Sequence, residues 1–194
     1  MEKFTRLSAV AAPLPLTNVD TDMIIPARFM KALTRDGLGS HLFQEMRFAA
    51  DGSEQSDFIL NRGPCRHAQI LVADRNFGCG SSREHAVWAL IGFGIRCVIA
   101  PSFGDIFSNN ARKNGLLLIR LPDEACAWLR EQSRLSQYAP VTVDLEEQQI
   151  LLASGETILF DVDAADRRIL IEGLDDIDRT LRHADAITRF EDAA

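Results

Sequence analysis

Three short apolar runs, AQILVAD (68–74), RCVIAPS (96–102) and LLLIRL (116–121), constrain the fold more than any other feature of the chain. Each has the length of a strand and is apolar at consecutive positions, so neither of its faces can be left to water. Between them lie SREHAVWALIGFG and FGDIFSNNARKNG. The first places Ala86, Leu90 and Phe93 at helical spacing and stops at Gly94. The second closes on Gly115, and glycine suits the left-handed residue that ends a helix. Strand, helix, strand, helix, strand in such short alternation predicts parallel strands with right-handed crossovers.

The flanking segments extend this pattern. LSAVAAPLPL and DMIIPA read as strands, the latter ended by Pro26. RFMKALTRDGLGSHLFQEMRF reads as a short helix, a loop containing Gly37 and Gly39, and a second short helix. AADGSEQSDFILNRGPCRH is polar and turn-rich, a surface loop by composition. PDEACAWLREQSRL is an amphipathic helix opened by Pro122. VTVDLEEQQILLASGETILFDV predicts two or three antiparallel strands, and ADRRILIEG and DIDRTLRHADAITRFEDA predict closing helices. No repeat or long linker divides the chain. The expected fold class is α/β, a mostly parallel central sheet with a small β-rich elaboration, in one domain over residues 1–194. A chain of this length buries roughly 70% of the surface that its unfolded form exposes.

Charge and cysteine usage narrow the function. A formal net charge of −7 and scattered Lys and Arg argue against nucleic-acid binding, which needs a basic patch or stripe. Residues 161–194 hold ten Asp and Glu against five Arg, which reads as a solvated helical surface or a docking face. Cys65, Cys79, Cys97 and Cys126 form no CxxC pair, so a self-contained zinc or iron–sulfur site is not expected. The opening MEKFTRLSAVAAPLPL is too weakly apolar for a signal peptide, and no run reaches transmembrane length. Free thiols in a reducing cytoplasm are the expectation.

Chemistry concentrates in NFGCGSSREHA (76–86), at the carboxyl end of one predicted buried strand and the start of a helix. That edge is where open α/β sheets bind ligands, and a helix N-terminus favours carboxylate or phosphate. Three familiar loops do not fit. Arg83 stands where a dinucleotide fingerprint needs its third glycine, no lysine completes a phosphate-binding loop, and neither serine has the glycines of a nucleophile elbow on both sides. Ser81-x-x-Glu84 has capping-box spacing, so Ser81 reads equally as a helix cap or as a reactive group. Arg83 opposes the helix dipole and presents a planar fork suited to a bidentate carboxylate contact. Cys79 has no clearly placed histidine to activate it, and His85 reads as a packed helical residue.

NFGCGSSREHA resembles the signature of the swivelling domain of the aconitase superfamily, and within it the small subunits of 3-isopropylmalate dehydratase. NVDTDMIIPARF, TRDGLGSHLF, CVIAPSFGDIFSNNARKNGLL and GLDDIDRTLRHADAI resemble that family in the same order. The resemblance implies a three-layer α/β fold and a hydro-lyase of leucine biosynthesis. That enzyme interconverts 2-isopropylmalate and 3-isopropylmalate through isopropylmaleate. It implies a heterodimer in which a large subunit carries the 4Fe–4S cluster and this chain carries none. By the same resemblance Ser81 is the general base, Ser82 and Arg83 hold a substrate carboxylate, and Asp22 is an active-site carboxylate. MKALTRDGLG resembles the substrate-selectivity loop, with Leu33 and Leu38 as apolar contacts and Arg35 facing solvent. The implied partners are the large subunit and a small dicarboxylate, with no nucleic acid or membrane. Related dehydratases acting on homoaconitate or a methyl-substituted malate, and a non-catalytic carboxylate-binding module, remain as alternatives.

Overall fold

The computed structural model describes residues 1–31 and 34–192. Its first two strands, β1 (Arg6–Ala9) and β2 (Ala11–Leu14), are separated only by Val10 and belong to different sheets. LSAVAAPLPL is thus one apolar run that serves two layers. The segment read as a second strand, DMIIPA, instead forms a single helical turn, α1 (Thr21–Ile24). Asp20 causes the difference, because its side chain accepts from the Met23 amide at 2.7 Å and caps the turn.

Between Pro26 and Phe48 the chain forms 3-10 turns at Ala27–Lys31 and Leu38–His41, then α2 (Gln44–Arg47). The polar stretch that follows is more than surface loop. It holds 3-10 turns at Ile59–Asn61 and Gly63–His67, and it sends Leu60 and Cys65 into the core. Next come β3 (Ile70–Ala73), α3 (Glu84–Phe93), β4 (Cys97–Ala100), α4 (Asp105–Asn114) and β5 (Leu117–Arg120), the predicted alternation. The chain closes with α5 (Asp123–Leu135), β6 (Val141–Asp144), β7 (Gln149–Leu151), β8 (Thr157–Leu159), α6 (Ala164–Glu172), α7 (Asp176–Leu181) and α8 (Ala184–Glu191).

Strands β2, β3, β4 and β5 pair in that order, all parallel, with Leu71 opposite Val98 and Val98 opposite Leu118. Pro13 is tolerated because β2 is an edge strand. Alternate residues of this sheet enter two cores. Leu14, Leu71, Ala73 and Val98 pack with Ala86, Leu90 and Phe107 of α3 and α4, whereas Ile70, Val72, Ile99 and Ile119 pack with Leu129 of α5 and with Val143 and Ile150. A sheet covered on both faces explains why its strands read as continuous apolar runs. The second sheet, β1-β6-β7-β8, is antiparallel and has as many strands as the first, because the stretch read as two or three strands forms three and β1 joins them. The two cores therefore lie on opposite faces of one central sheet, which gives three layers. Helix α8 buries none of its residues, and no helix among the described residues is long and apolar enough to cross a membrane.

Candidate active site

Beyond the carboxyl ends of β2, β3 and β4, three loops (15–20, 74–83 and 101–104) continue the strand pairing. The Gly78 and Cys79 amides both donate to the Val19 carbonyl, at 2.7 and 3.2 Å, and the Thr21 amide donates to the Cys79 carbonyl at 3.0 Å. On the other side, the Phe77 amide donates to the Ser102 carbonyl and the Gly104 amide to the Phe77 carbonyl, at 3.0 and 2.9 Å. The Asn76 side-chain amide reaches Asn18 Oδ1 at 2.8 Å. Gly78 is indispensable to this packing. Its φ is +73°, and a Cβ there would stand 2.2 Å from the Phe107 ring.

This scaffold displays Ser81 and Ser82 to solvent and half-buries Arg83. The predicted capping box does not form. Helix α3 begins after Arg83, which makes no side-chain capping bond, and Ser81 lies two residues before that N-cap. Glu84, the other half of the predicted box, accepts from Asn114 Nδ2 at 2.8 Å, while Asn114 Oδ1 accepts from the Trp88 indole at 3.0 Å. Asn114 is thus a buried tie between α3 and α4 rather than a simple helix end. Ser81 keeps its hydroxyl for something other than the helix. That oxygen lies 3.3 Å from the hydroxyl of Thr21, which is 2% exposed and also donates to the Ser81 carbonyl at 3.2 Å.

Arg83 joins the two loops from the other direction. Its Nη1 forms an ion pair with the Asp22 carboxylate, and the guanidinium holds the Asp22 carboxyl below the usual carboxylate range. The Arg83 side chain is only 14% exposed against 56% for Asp22, and its buried Nη1 makes no well-directed hydrogen bond. A guanidinium carries five N–H groups in a fork, so one ion contact to Asp22 leaves most of its donor capacity open to a further carboxylate. The structure therefore brings Ser81, Ser82, Arg83 and Asp22 to one loop pair, with Thr21 between them. Thr21 was missed in the sequence, although it stands inside the quoted NVDTD stretch.

The segment expected to set selectivity departs from that expectation. Leu38 is 2% exposed and packs in the core with Leu42 and Leu90, so it offers no open apolar face and instead anchors the segment. Leu33 lies outside the described residues. Arg35 is exposed, as expected, but its guanidinium also stacks over the Trp88 ring at 5.0 Å. Next to it, Gly39 packs directly on Gly92 of α3, where a Cβ would come within 2.1 Å of backbone. Arg47 was also missed. It is buried and donates to Asn61 Oδ1 at 3.1 Å and to the carbonyl of Leu42.

The side chains of this chain do not fit an iron–sulfur cluster, which is ligated by thiolates. Burial pushes the thiols of Cys65 and Cys126 up to about 11, drives that of Cys97 further up, and raises that of Cys79. Among the described residues no three His, Cys, Asp or Glu side chains are grouped to hold a metal ion.

The aconitase C-terminal domain family matches residues 1–124, which contain all three loops of the site. The chain is 58% identical to a protein of Gluconobacter oxydans named 3-isopropylmalate dehydratase small subunit, over 98% of this chain and 92% of that one. The chain belongs to the 3-isopropylmalate dehydratase small-subunit family. Another small subunit of that name, from Roseobacter denitrificans, is 55% identical over 100% of this chain and 96% of its own length. The crystal structure of the 3-isopropylmalate dehydratase LeuD from Methanocaldococcus jannaschii superposes with a TM-score of 0.69 at 28% identity. It covers 96% of this chain and 99% of its own. A second model of the family, LeuD_N, matches residues 134–164, the segment that contains β6, β7 and β8.

Proposed function

We propose that this chain is the proton-abstracting, carboxylate-holding part of a 3-isopropylmalate dehydratase, and that it acts only when assembled with a large subunit. The observation that carries the reading is the pairing of an exposed, non-capping Ser81 hydroxyl with the half-buried guanidinium of Arg83 on one rigid loop pair.

One substrate carboxylate lies against the open N–H edge of Arg83 and the first-turn amides of α3, with the Ser82 hydroxyl as a further donor. Asp22 aims the guanidinium. The substrate carbon that loses its proton then faces Ser81 Oγ. In the dehydration that C–H bond breaks and the proton goes to Ser81. Its electron pair becomes the carbon–carbon double bond as the hydroxyl leaves the adjacent carbon with its own bonding pair, a departure for which the cluster of the large subunit would supply Lewis acidity and a proton would complete water. Rehydration at the other carbon reverses these steps with the regiochemistry exchanged. A serine hydroxyl is a weak acid, so its alkoxide form needs preorganised donors around it. The 4Fe–4S cluster implied by the family would be held by the large subunit, and no step taken by this chain's residues is routed through it. The small dicarboxylate is the ligand of this site, and the buried Leu38 acts on selectivity by anchoring its segment.

Substrate competition tests the reading. In the two-subunit complex, kcat/KM for 2-isopropylmalate is expected to exceed that for citramalate and homoaconitate by at least about 10-fold, the lower end of what separates side groups that differ by one methylene. A preference for either competitor would overturn the substrate assignment.

A further inference from the structure

If Ser81 is the base, something must donate to its oxygen when that oxygen is charged. Arg83 pairs with Asp22 and, on the reading above, gives its remaining donors to the substrate carboxylate, while the N-cap geometry sets Ser81 outside α3. Among the described residues the hydrogen-bond partner of Ser81 Oγ is Thr21.

We propose that Thr21 is a positioning residue for Ser81, its hydroxyl proton turning from the Ser81 carbonyl to Ser81 Oγ as that oxygen becomes anionic; this rests on the reading of Ser81 as base. The Thr21 hydroxyl has one proton and two acceptors at almost equal reach, the Ser81 carbonyl at 3.2 Å and Ser81 Oγ at 3.3 Å. With Ser81 neutral, both hydroxyls are satisfied at once: Thr21 donates to the carbonyl and Ser81 donates to Thr21. When the Ser81 proton leaves to solvent, Ser81 can no longer donate. The Thr21 proton then gains more from a charge-assisted bond to Oγ than from the neutral carbonyl. Only the O–H rotates. The proton stays on Thr21, and the proton that Ser81 later accepts comes from the substrate C–H bond.

Thr21 is built to hold that position. It is 2% exposed, its amide is bonded to the Cys79 carbonyl at 3.0 Å, and its carbonyl accepts from the Ile25 amide at 3.0 Å. Threonine is stiff at χ1, so the oxygen is placed by the backbone rather than found by search. Gly80 adds no side chain on this flank, where a Cβ would lie 3.8 Å from the Thr21 hydroxyl. A dry, fixed donor next to an exposed base is what stabilisation of a transient alkoxide requires.

The test uses the two-subunit complex with Thr21→Val, Thr21→Ala and Thr21→Ser, each also combined with Ser81→Ala. Loss of one oxyanion donor costs about 10²–10³ in kcat where the site is dry, so about 10- to 100-fold is expected for Thr21→Val and Thr21→Ala beside a solvent-exposed Ser81. KM should stay within about twofold, because the lost interaction exists only once charge develops. Thr21→Ser should recover kcat to within about threefold, and in the Ser81→Ala background none of the three should lower the residual rate further. The proposal is overturned if Thr21→Val and Thr21→Ala keep full kcat, if Thr21→Ser fails as badly as they do, or if the loss persists without Ser81. A Ser81→Ala complex with wild-type activity would instead overturn the base reading, and this proposal with it.

Discussion

Arg83 holds Asp22 with one corner of its guanidinium, and among the described residues its other donors have no side-chain acceptor. Arg83→Gln is therefore expected to raise KM for the dicarboxylate about 10- to 100-fold in steady-state assays, since a hydrogen bond to a charged group contributes roughly 1.5–3 kcal/mol. The ion pair itself contributes little to folding, because the Asp22 side chain is 56% exposed. Its sign is nonetheless fixed. Arg83 lowers the folded-state carboxyl of Asp22, so the stabilisation is complete above the unfolded range near pH ~4 and is lost as pH falls through the lower folded value. Urea midpoints measured down that range should fall by the equivalent of no more than about 1 kcal/mol further in the native chain than in Asp22→Asn, because the other lowered carboxyls, such as Glu2 and Asp123, act in both. At this scale the residue type of Arg83 pointed to a carboxylate contact, Ser81 read equally as a cap or a reactive group, and Ser82 and Asp22 were singled out only through the family resemblance. That Ser81 does not cap could not be read, because Asn114, thirty residues after Glu84, claims the carboxylate on which the box depended.

Elements place those residues, and two contacts between elements control the placement. Gly78→Ala would force a side chain into φ +73° and into the Phe107 ring, and is expected to lower stability by roughly 2–4 kcal/mol in chemical denaturation. Asn114→Ala removes the bridge from Trp88 to Glu84 and leaves the indole N–H without that partner; a loss of about 1–3 kcal/mol is expected, again from denaturation midpoints. Helices α3 and α4 and the strands before them were legible, because burial on both faces of a parallel sheet writes itself as unbroken apolarity and glycines mark the helix ends. Helix α1 was not legible. Ile24 and Ile25 are both buried, which imitates a strand, and only the Asp20 cap separates the two conformations. The buried Leu38 likewise looked like a pocket residue, since apolar character does not say whether a side chain faces a ligand or the core.

At the scale of the molecule, the chain divides its labour between two sheets that part at Val10. The parallel sheet aims its carboxyl-end loops at one place and carries every residue of the proposed site, while the antiparallel sheet closes the opposite core. The antiparallel strands β6–β8 were readable from turn signals, but the recruitment of β1 to them was not, because pairing across more than 130 residues leaves no local mark. The proposed site lies on one edge of that sheet, and on the proposed reading a large subunit completes it. The most direct test combines native chain and Ser81→Ala, each with cluster-loaded large subunit under anaerobic conditions. Isopropylmaleate formation is followed by ultraviolet absorbance and assembly by gel filtration. The account predicts that activity needs both subunits and that Ser81→Ala assembles normally yet loses about 10²–10⁴-fold in kcat. Full activity in an assembled Ser81→Ala complex, or turnover by this chain alone, would contradict it.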